Sequence, residues 1–156
     1  LLEPVSDGEG WNIMASAQTS EIFNCTPAQF YKIVSDYEKY PEFLQEVKAC
    51  KVLKTEGSKK LVEYTVSVVK NFKYSLWMTE TENQEVKWEF AGGDVFKTST
   101  GYWKLQEEGG KCRASYYVEA TFNMFVPGPI AKALVNVNLP SMMSAYHKRV
   151  GELYGR

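Results

Sequence analysis

Between residues 47 and 124, apolar side chains recur at every second position, and four short turn signals interrupt the run: Glu56-Gly57-Ser58, Glu82-Asn83-Gln84, Gly92-Gly93-Asp94 and Glu108-Gly109-Gly110. Period two is the period of a strand with one buried face, and turns this short join only antiparallel neighbours. Val62, Tyr64, Val66 and Val68 share one face of a strand, as do Phe72, Tyr74, Leu76 and Met78 on the next, and Val86, Trp88 and Phe90 on a third. Cys112, Ala114, Tyr116, Val118, Ala120 and Phe122 continue the series, while Glu63, Lys73, Lys87, Glu89, Arg113 and Glu119 fall on the opposite faces. A sheet that is apolar on one side only must be covered on that side.

The cover is the C-terminal segment. After Val126-Pro127-Gly128-Pro129, the residues Val135, Leu139, Met142, Met143, Tyr146, Val150 and Leu153 recur at steps of three and four, the stripe of an amphipathic helix. Lys132, Lys148, Arg149 and Glu152 lie off the stripe, and Pro140 is expected to kink the helix. Upstream, residues 15–24 (ASAQTSEIFN) read as a strand. Thr26 is placed to cap a helix whose first turn holds Pro27 and whose buried face holds Phe30, Ile33 and Val34. A second short helix is expected from Pro41 through Val47. The predicted fold class is therefore α+β: a curved antiparallel sheet of about seven strands, two short helices after the first strand, and a long C-terminal helix packed across the sheet. Residues 15–156 form one domain and residues 1–14 a tail. The chain opens on Leu1, and Met14 reads as a candidate initiator that would make the preceding residues a foreign extension.

A twisted sheet curls, and a straight helix laid across it touches the rims more closely than the middle. The gap is filled either by side chains, giving a dry core, or by a ligand. Aromatic residues at 14 % of the chain suit both, because each ring buries a large area in a core or in a pocket. Other function classes are disfavoured. A net charge of −1 with interleaved signs gives no field to gather a polyanion, so no nucleic acid partner is expected. Cys25, Cys50 and Cys112 are far apart, lack CxxC spacing and have a single histidine beside them, so they read as reduced thiols and no metal or cofactor is implied. No apolar run is long enough for a membrane-spanning helix, and the default expectation is a soluble, cytoplasmic monomer.

Candidate chemistry is sparse. His147 stands one position off the apolar stripe and reads as a solvent-facing helix residue, while Cys112, on the inner face, reads as a small hydrophobe. No catalytic residue is assigned. Asn136 and Asn138 precede Pro140; either Asn138 points toward a cavity mouth, where its amide would bond a ligand, or the two are exposed or serve the backbone that the proline frees. Tyr64, Tyr74 and Tyr116 are either core rings or the few polar groups that orient an apolar ligand. The Gly92-Gly93-Asp94 turn has no following helix and is a hairpin, not a phosphate loop. The apolar stretch 122–130 (FNMFVPGPI) reads as an entrance loop that could make a peripheral membrane contact, or as packing under the helix.

The element order, together with DYEKYPEFLQEV at residues 36–47, resembles the START-like superfamily of helix-grip proteins, and within it the polyketide cyclase/dehydrase and lipid-transport branch that includes the coenzyme-Q-binding and ribosome-association-toxin families. Asp36, Tyr40, Pro41, Phe43 and Leu44 match that branch at the helix junction, Gly101, Tyr102 and Trp103 match its Gly-x-Trp strand, and Pro127 and Pro129 match the turn before the last helix. Gly101 is expected to let Trp103 pack closely. The similarity covers residues 15–154. It implies a hydrophobic pocket between sheet and terminal helix for a small apolar ligand: a lipid, an isoprenoid or quinone, or a polyketide-like molecule. The residues expected to line it are Tyr64, Val66, Tyr74, Leu76 and Met78; Trp88, Phe90, Tyr116 and Val118; and Val135, Asn138, Leu139, Met142, Met143 and Tyr146. Binding or transport is favoured over an aromatase/cyclase or dehydratase, which needs a converging acid–base set, and over a ribosome-interaction module, which needs a basic stripe.

Overall fold

In the computed structural model, which describes residues 2–6, 11–67, 70–122, 127–132 and 139–155, the period-two segments are strands and the four turn signals join them as hairpins. Strands β3 (Val47–Glu56), β4 (Lys59–Ser67), β5 (Asn71–Thr81), β6 (Glu85–Gly93), β7 (Phe96–Glu108) and β8 (Lys111–Phe122) form an antiparallel meander. β2 (Trp11–Phe23) returns to pair with β8 along its length, from Ile13↔Phe122 to Phe23↔Cys112. Outside it lies β1 (Leu2–Ser6), paired with β2 from Leu2↔Ala15 to Ser6↔Trp11, within the stretch that the sequence reads as a tail. The described residues thus form an eight-stranded sheet in the order β1-β2-β8-β7-β6-β5-β4-β3, of which the seven strands from β2 onward are those expected. Val68, assigned to a strand face from its spacing, lies outside the described residues.

The first helix, α1 (Pro27–Val34), starts as its sequence dictates. Thr26 Oγ1 accepts from the Gln29 amide and Gln29 Oε1 accepts from the Thr26 amide, a reciprocal pair that satisfies two of the donors a helix start leaves orphaned. Phe30, Ile33 and Val34 are buried. The second short helix differs from expectation: it is a 3-10 turn over Tyr37–Glu42, and the chain from Phe43 to Glu46 is a turn leading into β3. Buried Tyr40 accounts for the shift. Its Oη donates to the carbonyl of Val34 at the end of α1, which folds the chain back within six residues and leaves Pro41 inside the tighter helix.

After β8 come a short helix, α2 (Gly128–Lys132), and the long helix α3 (Leu139–Tyr154). Met143, Tyr146 and Val150 are buried on the face of α3 toward the sheet, whereas Leu153, placed on the same stripe by its spacing, is 49 % exposed. The kink expected at Pro140 involves residues 136–138, outside the described residues. No described helix is long and apolar enough to cross a membrane.

The inner face of the sheet carries two apolar clusters. One gathers Phe23, Phe30, Tyr40, Val62, Trp103 and Tyr146 between α1, α3 and the sheet; the other gathers Ala15, Val95, Phe96, Ala120, Phe122 and Ala131 near α2. Phe72, Tyr74, Trp88, Phe90, Tyr116 and Leu139 pack against both clusters while remaining only partly buried. Three of these, Tyr74, Trp88 and Tyr116, front a space.

Candidate functional site

That space is a cavity of about 180 Å³ between the concave sheet and α3. β4 contributes Tyr64 and Val66, β5 contributes Tyr74, Leu76 and Met78, and β6 contributes Trp88. Phe96, Ser99 and Trp103 come from β7, and Tyr116, Val118 and Ala120 from β8. Met142 and Tyr146 close it from α3, and Tyr40 of the 3-10 turn, Leu44 and Glu46 of the turn after it and Val47 at the start of β3 close it from the other side. An apolar cavity of about 150 Å³ holds a benzene-sized guest, so the enclosed space matches a body of one to two rings.

Aromatic stacking sets the walls. Tyr64 and Tyr74 stack with centroids 5.4 Å apart, and Tyr116 lies 4.9 Å from Trp103 and 5.9 Å from Trp88. Tyr146 meets Trp103 edge-on at 5.2 Å and Phe43 at 5.2 Å, which fixes α3 against both sheet and turn. Trp88 reaches the wall because its cross-strand neighbour is Gly101. A Cβ at that position would stand 2.5 Å from Trp88 Cζ2 and 2.3 Å from the Tyr117 carbonyl oxygen. The sequence assigned Gly101 to the packing of Trp103. The ring that needs its missing side chain is Trp88, since residues facing each other across a ladder meet face to face, whereas Trp103 sits two positions along the same strand.

Polar groups on the lining are few. Ser99 is a buried polar residue, 5 % exposed. Tyr40, Tyr64, Tyr74, Tyr116 and Tyr146 bring phenols whose ionisation burial pushes well above the ordinary tyrosine range, so they remain neutral hydrogen-bonding groups. For Tyr146, side-chain hydrogen bonding with Tyr40 and Trp103 pulls against burial without reversing it. Tyr64 Oη contacts Met78 Sδ at 3.6 Å. Glu46 is the carboxylate on the wall; burial raises its pKa and the charge of Lys48 opposes the rise. The thiols face the same cost: burial pushes Cys25 to about 11, and Cys50 and Cys112 to about 12, which leaves them unreactive at neutral pH.

Of the residues that spacing and resemblance assigned to the pocket, Tyr64, Val66, Tyr74, Leu76, Met78, Trp88, Tyr116, Val118, Met142 and Tyr146 front the cavity. Three others do not. Met143 points into the packed cluster and is 4 % exposed, and Phe90 and Leu139 pack behind the wall against both clusters. Val135 and Asn138 lie outside the described residues. The pattern did not single out Tyr40, Leu44, Glu46, Val47, Phe96, Ser99, Trp103 and Ala120 as lining. For β7 a signal existed: Ser99, Gly101 and Trp103 alternate as buried positions, but a bulge between Phe96 and Thr98 shifts the phase, and neither Ser nor Gly scores as apolar.

His147, read as solvent-facing, is partly exposed and has two partners: Nε2 lies 2.7 Å from Glu21 Oε1, and its ring stacks on Phe23 at 4.2 Å. It does not border the cavity. In the stretch 122–130, Phe122 is fully buried in the second cluster and residues 123–126 lie outside the described residues.

A family model described as polyketide cyclase / dehydrase and lipid transport matches residues 24–146. Solved structures share the fold. A START superfamily protein from Mycobacterium smegmatis superposes with a TM-score of 0.74 at 22% identity, covering 90% of this chain and 98% of its own. An aromatase/cyclase from Streptomyces gives 0.78 at 9% identity, with 92% and 96% covered. A STAR-related lipid transfer protein from Xanthomonas axonopodis gives 0.70 at 15% identity, with 96% and 98% covered.

Proposed function

The chain belongs to the polyketide cyclase / dehydrase and lipid transport family, within the START-like superfamily, and from that premise we propose that it binds and carries a small hydrophobic ligand in the cavity under α3. One observation carries the choice of carrier over catalyst. The lining consists of aromatic and aliphatic side chains with neutral phenols and the Ser99 hydroxyl, and its one described carboxylate, Glu46, is shared with the outer hollow. Acid–base catalysis needs a base and an acid held on opposite sides of the reacting atoms. Phenols pushed upward by burial donate and accept hydrogen bonds but do not abstract protons near neutrality. Such a site holds an apolar body by contact area and orients it with a few hydroxyls.

The aromatase/cyclase reading has its own support in the three phenols that Tyr64, Tyr74 and Tyr116 bring to one lining, which suit a polyoxygenated aromatic guest. The two readings share the cavity and differ in whether the guest leaves unchanged.

Native mass spectrometry of gently purified protein, followed by organic extraction, tests the carrier reading. A near-stoichiometric apolar molecule that is recovered unchanged after incubation supports carriage. Protein that is reproducibly empty and also fails to bind apolar aromatic probes refutes it, and chemical conversion of the guest moves the assignment to catalysis.

A further inference from the structure

A second hollow of about 330 Å³ lies outside the first, between the turn that follows the 3-10 helix and α3. Leu44, Glu46, Val47 and Met142 line both spaces, so a wall one side chain thick separates them. Three elements of that wall are apolar and one is Glu46. The other acidic groups around the outer hollow are already committed: Glu42 Oε1 accepts from Arg149 at 3.0 Å and its Oε2 lies 3.3 Å from Lys39, while Glu152 stands 4.0 Å from the same Arg149. Glu46 makes no ion pair with a described residue, and only the nearby charge of Lys48 favours its ionised form. Lys148 lines the outer hollow but not the inner cavity, and is exposed.

A carboxylate on the wall between two spaces, with no ion pair to a described residue, is an acceptor open to a donor on a ligand that passes it. Resting on the reading of the inner cavity as a ligand site, we propose that the ligand carries a hydrogen-bond donor, a hydroxyl or an ammonium, at the end that passes from the inner cavity toward the outer hollow, and that Glu46 selects it. A ligand ending in a carboxylate brings like charge against Glu46 in a region of reduced dielectric and is rejected. The site therefore discriminates by head group: alcohols, phenols and amines enter, and fatty-acid-like anions do not. Because the inner space accommodates one to two rings, the donor sits directly on, or one carbon from, the ring system.

The test is isothermal calorimetry on the whole chain with three probes that share one apolar body: naphthylmethylamine, naphthalenemethanol and naphthoate. The wild-type protein is expected to bind the amine and the alcohol at least about tenfold more tightly than the carboxylate, and Glu46→Gln to reduce that gap to within about threefold. Glu46→Lys reverses the order. Glu89→Gln, which removes an exposed carboxylate that lines neither hollow, leaves the wild-type order unchanged. Equal affinity of the wild type for all three probes overturns the selection by Glu46 while leaving the cavity a ligand site, and so does a preference that survives in Glu46→Gln. Failure of all three probes to bind, with the protein folded by circular dichroism, overturns the ligand reading and the inference together.

Discussion

Replacing Gly101 with alanine tests the packing argument most directly, because the added atom is small and its neighbours are known. The new Cβ would stand 2.3 Å from the Tyr117 carbonyl oxygen, 2.5 Å from Trp88 Cζ2 and 2.7 Å from Trp88 Cε2. Reaching ordinary contact with the carbonyl, at 3.4 Å, requires a separation of about 1.1 Å across a ladder in which Tyr102 pairs with Tyr117 and Gly101 with Val118. The indole can swing away into the 180 Å³ cavity, but the carbonyl belongs to the backbone of β8 and moves only with the strand. Overpacking of this kind costs roughly 1–3 kcal/mol, and the backbone component puts Gly101→Ala at the upper end, about 3 kcal/mol. At about 2–4 °C per kcal/mol for a chain of this size, the melting temperature should fall by roughly 6–12 °C. Urea unfolding followed by tryptophan fluorescence gives the free energy. A double-mutant cycle with Trp88→Leu divides it, since removing the ring should recover part of the loss and leave the part owed to the carbonyl. A Gly101→Ala protein within about 0.5 kcal/mol of wild type would refute the account of why Trp88 fronts the cavity.

Three further outcomes follow from the same geometry. Tyr40→Phe removes the donor to the buried Val34 carbonyl and should cost about 1–3 kcal/mol in urea unfolding; a loss under about 0.5 kcal/mol would show that water replaces the bond without penalty. Ala120→Leu, at a fully buried position on the cavity wall, should lower affinity for a naphthalene probe at least about tenfold with an unchanged far-ultraviolet spectrum, and retained affinity would place the guest elsewhere. Burial raises the three thiols from 9.0 to about 11 or about 12 in the folded chain, so the stability they confer is complete below pH 9.0 and is lost as pH rises, because the unfolded thiols ionise first. Unfolding free energy should fall by roughly 1 kcal/mol per thiol between about pH 8 and about pH 10, and Cys→Ala variants that keep the full slope would dissociate it from these groups.

The sheet was legible from spacing because each strand has one covered face, which imprints a period-two signal, and because Gly-rich turns interrupt that signal where the chain reverses. Legibility failed where the backbone departs from ideal period. Phe96 belongs to β7 but precedes a bulge, so its phase with Ser99 and Trp103 is invisible in the sequence. The segment from Tyr37 to Val47 carries cavity residues on a 3-10 turn and irregular backbone, where no apolar period exists to read; Tyr40, Leu44, Glu46 and Val47 reach the wall through a local fold-back, closed by the Tyr40 bond to Val34, and not through a repeat. On α3 the stripe was correct in phase. It misjudged depth: Met142 and Tyr146 front the cavity, Met143 is committed to packing, and Leu153 is left exposed. A helical period identifies a face, whereas cavity or contact depends on the distance to the opposing surface.

β3 ends the sheet on one side, and a terminal strand offers its free backbone groups to any other chain. Here that offer is hard to accept. Lys48, Lys51 and Lys54 recur along the strand, its pairing with β4 is broken by bulges between Val47 and Ala49 and between Val52 and Lys54, and Leu53, 46 % exposed, lies within this row of cations. Two copies meeting along β3 would set lysine against lysine and could not keep a common register for more than a few residues. Lysines and bulges of this kind are the devices by which a sheet margin disfavours growth by addition of its own kind.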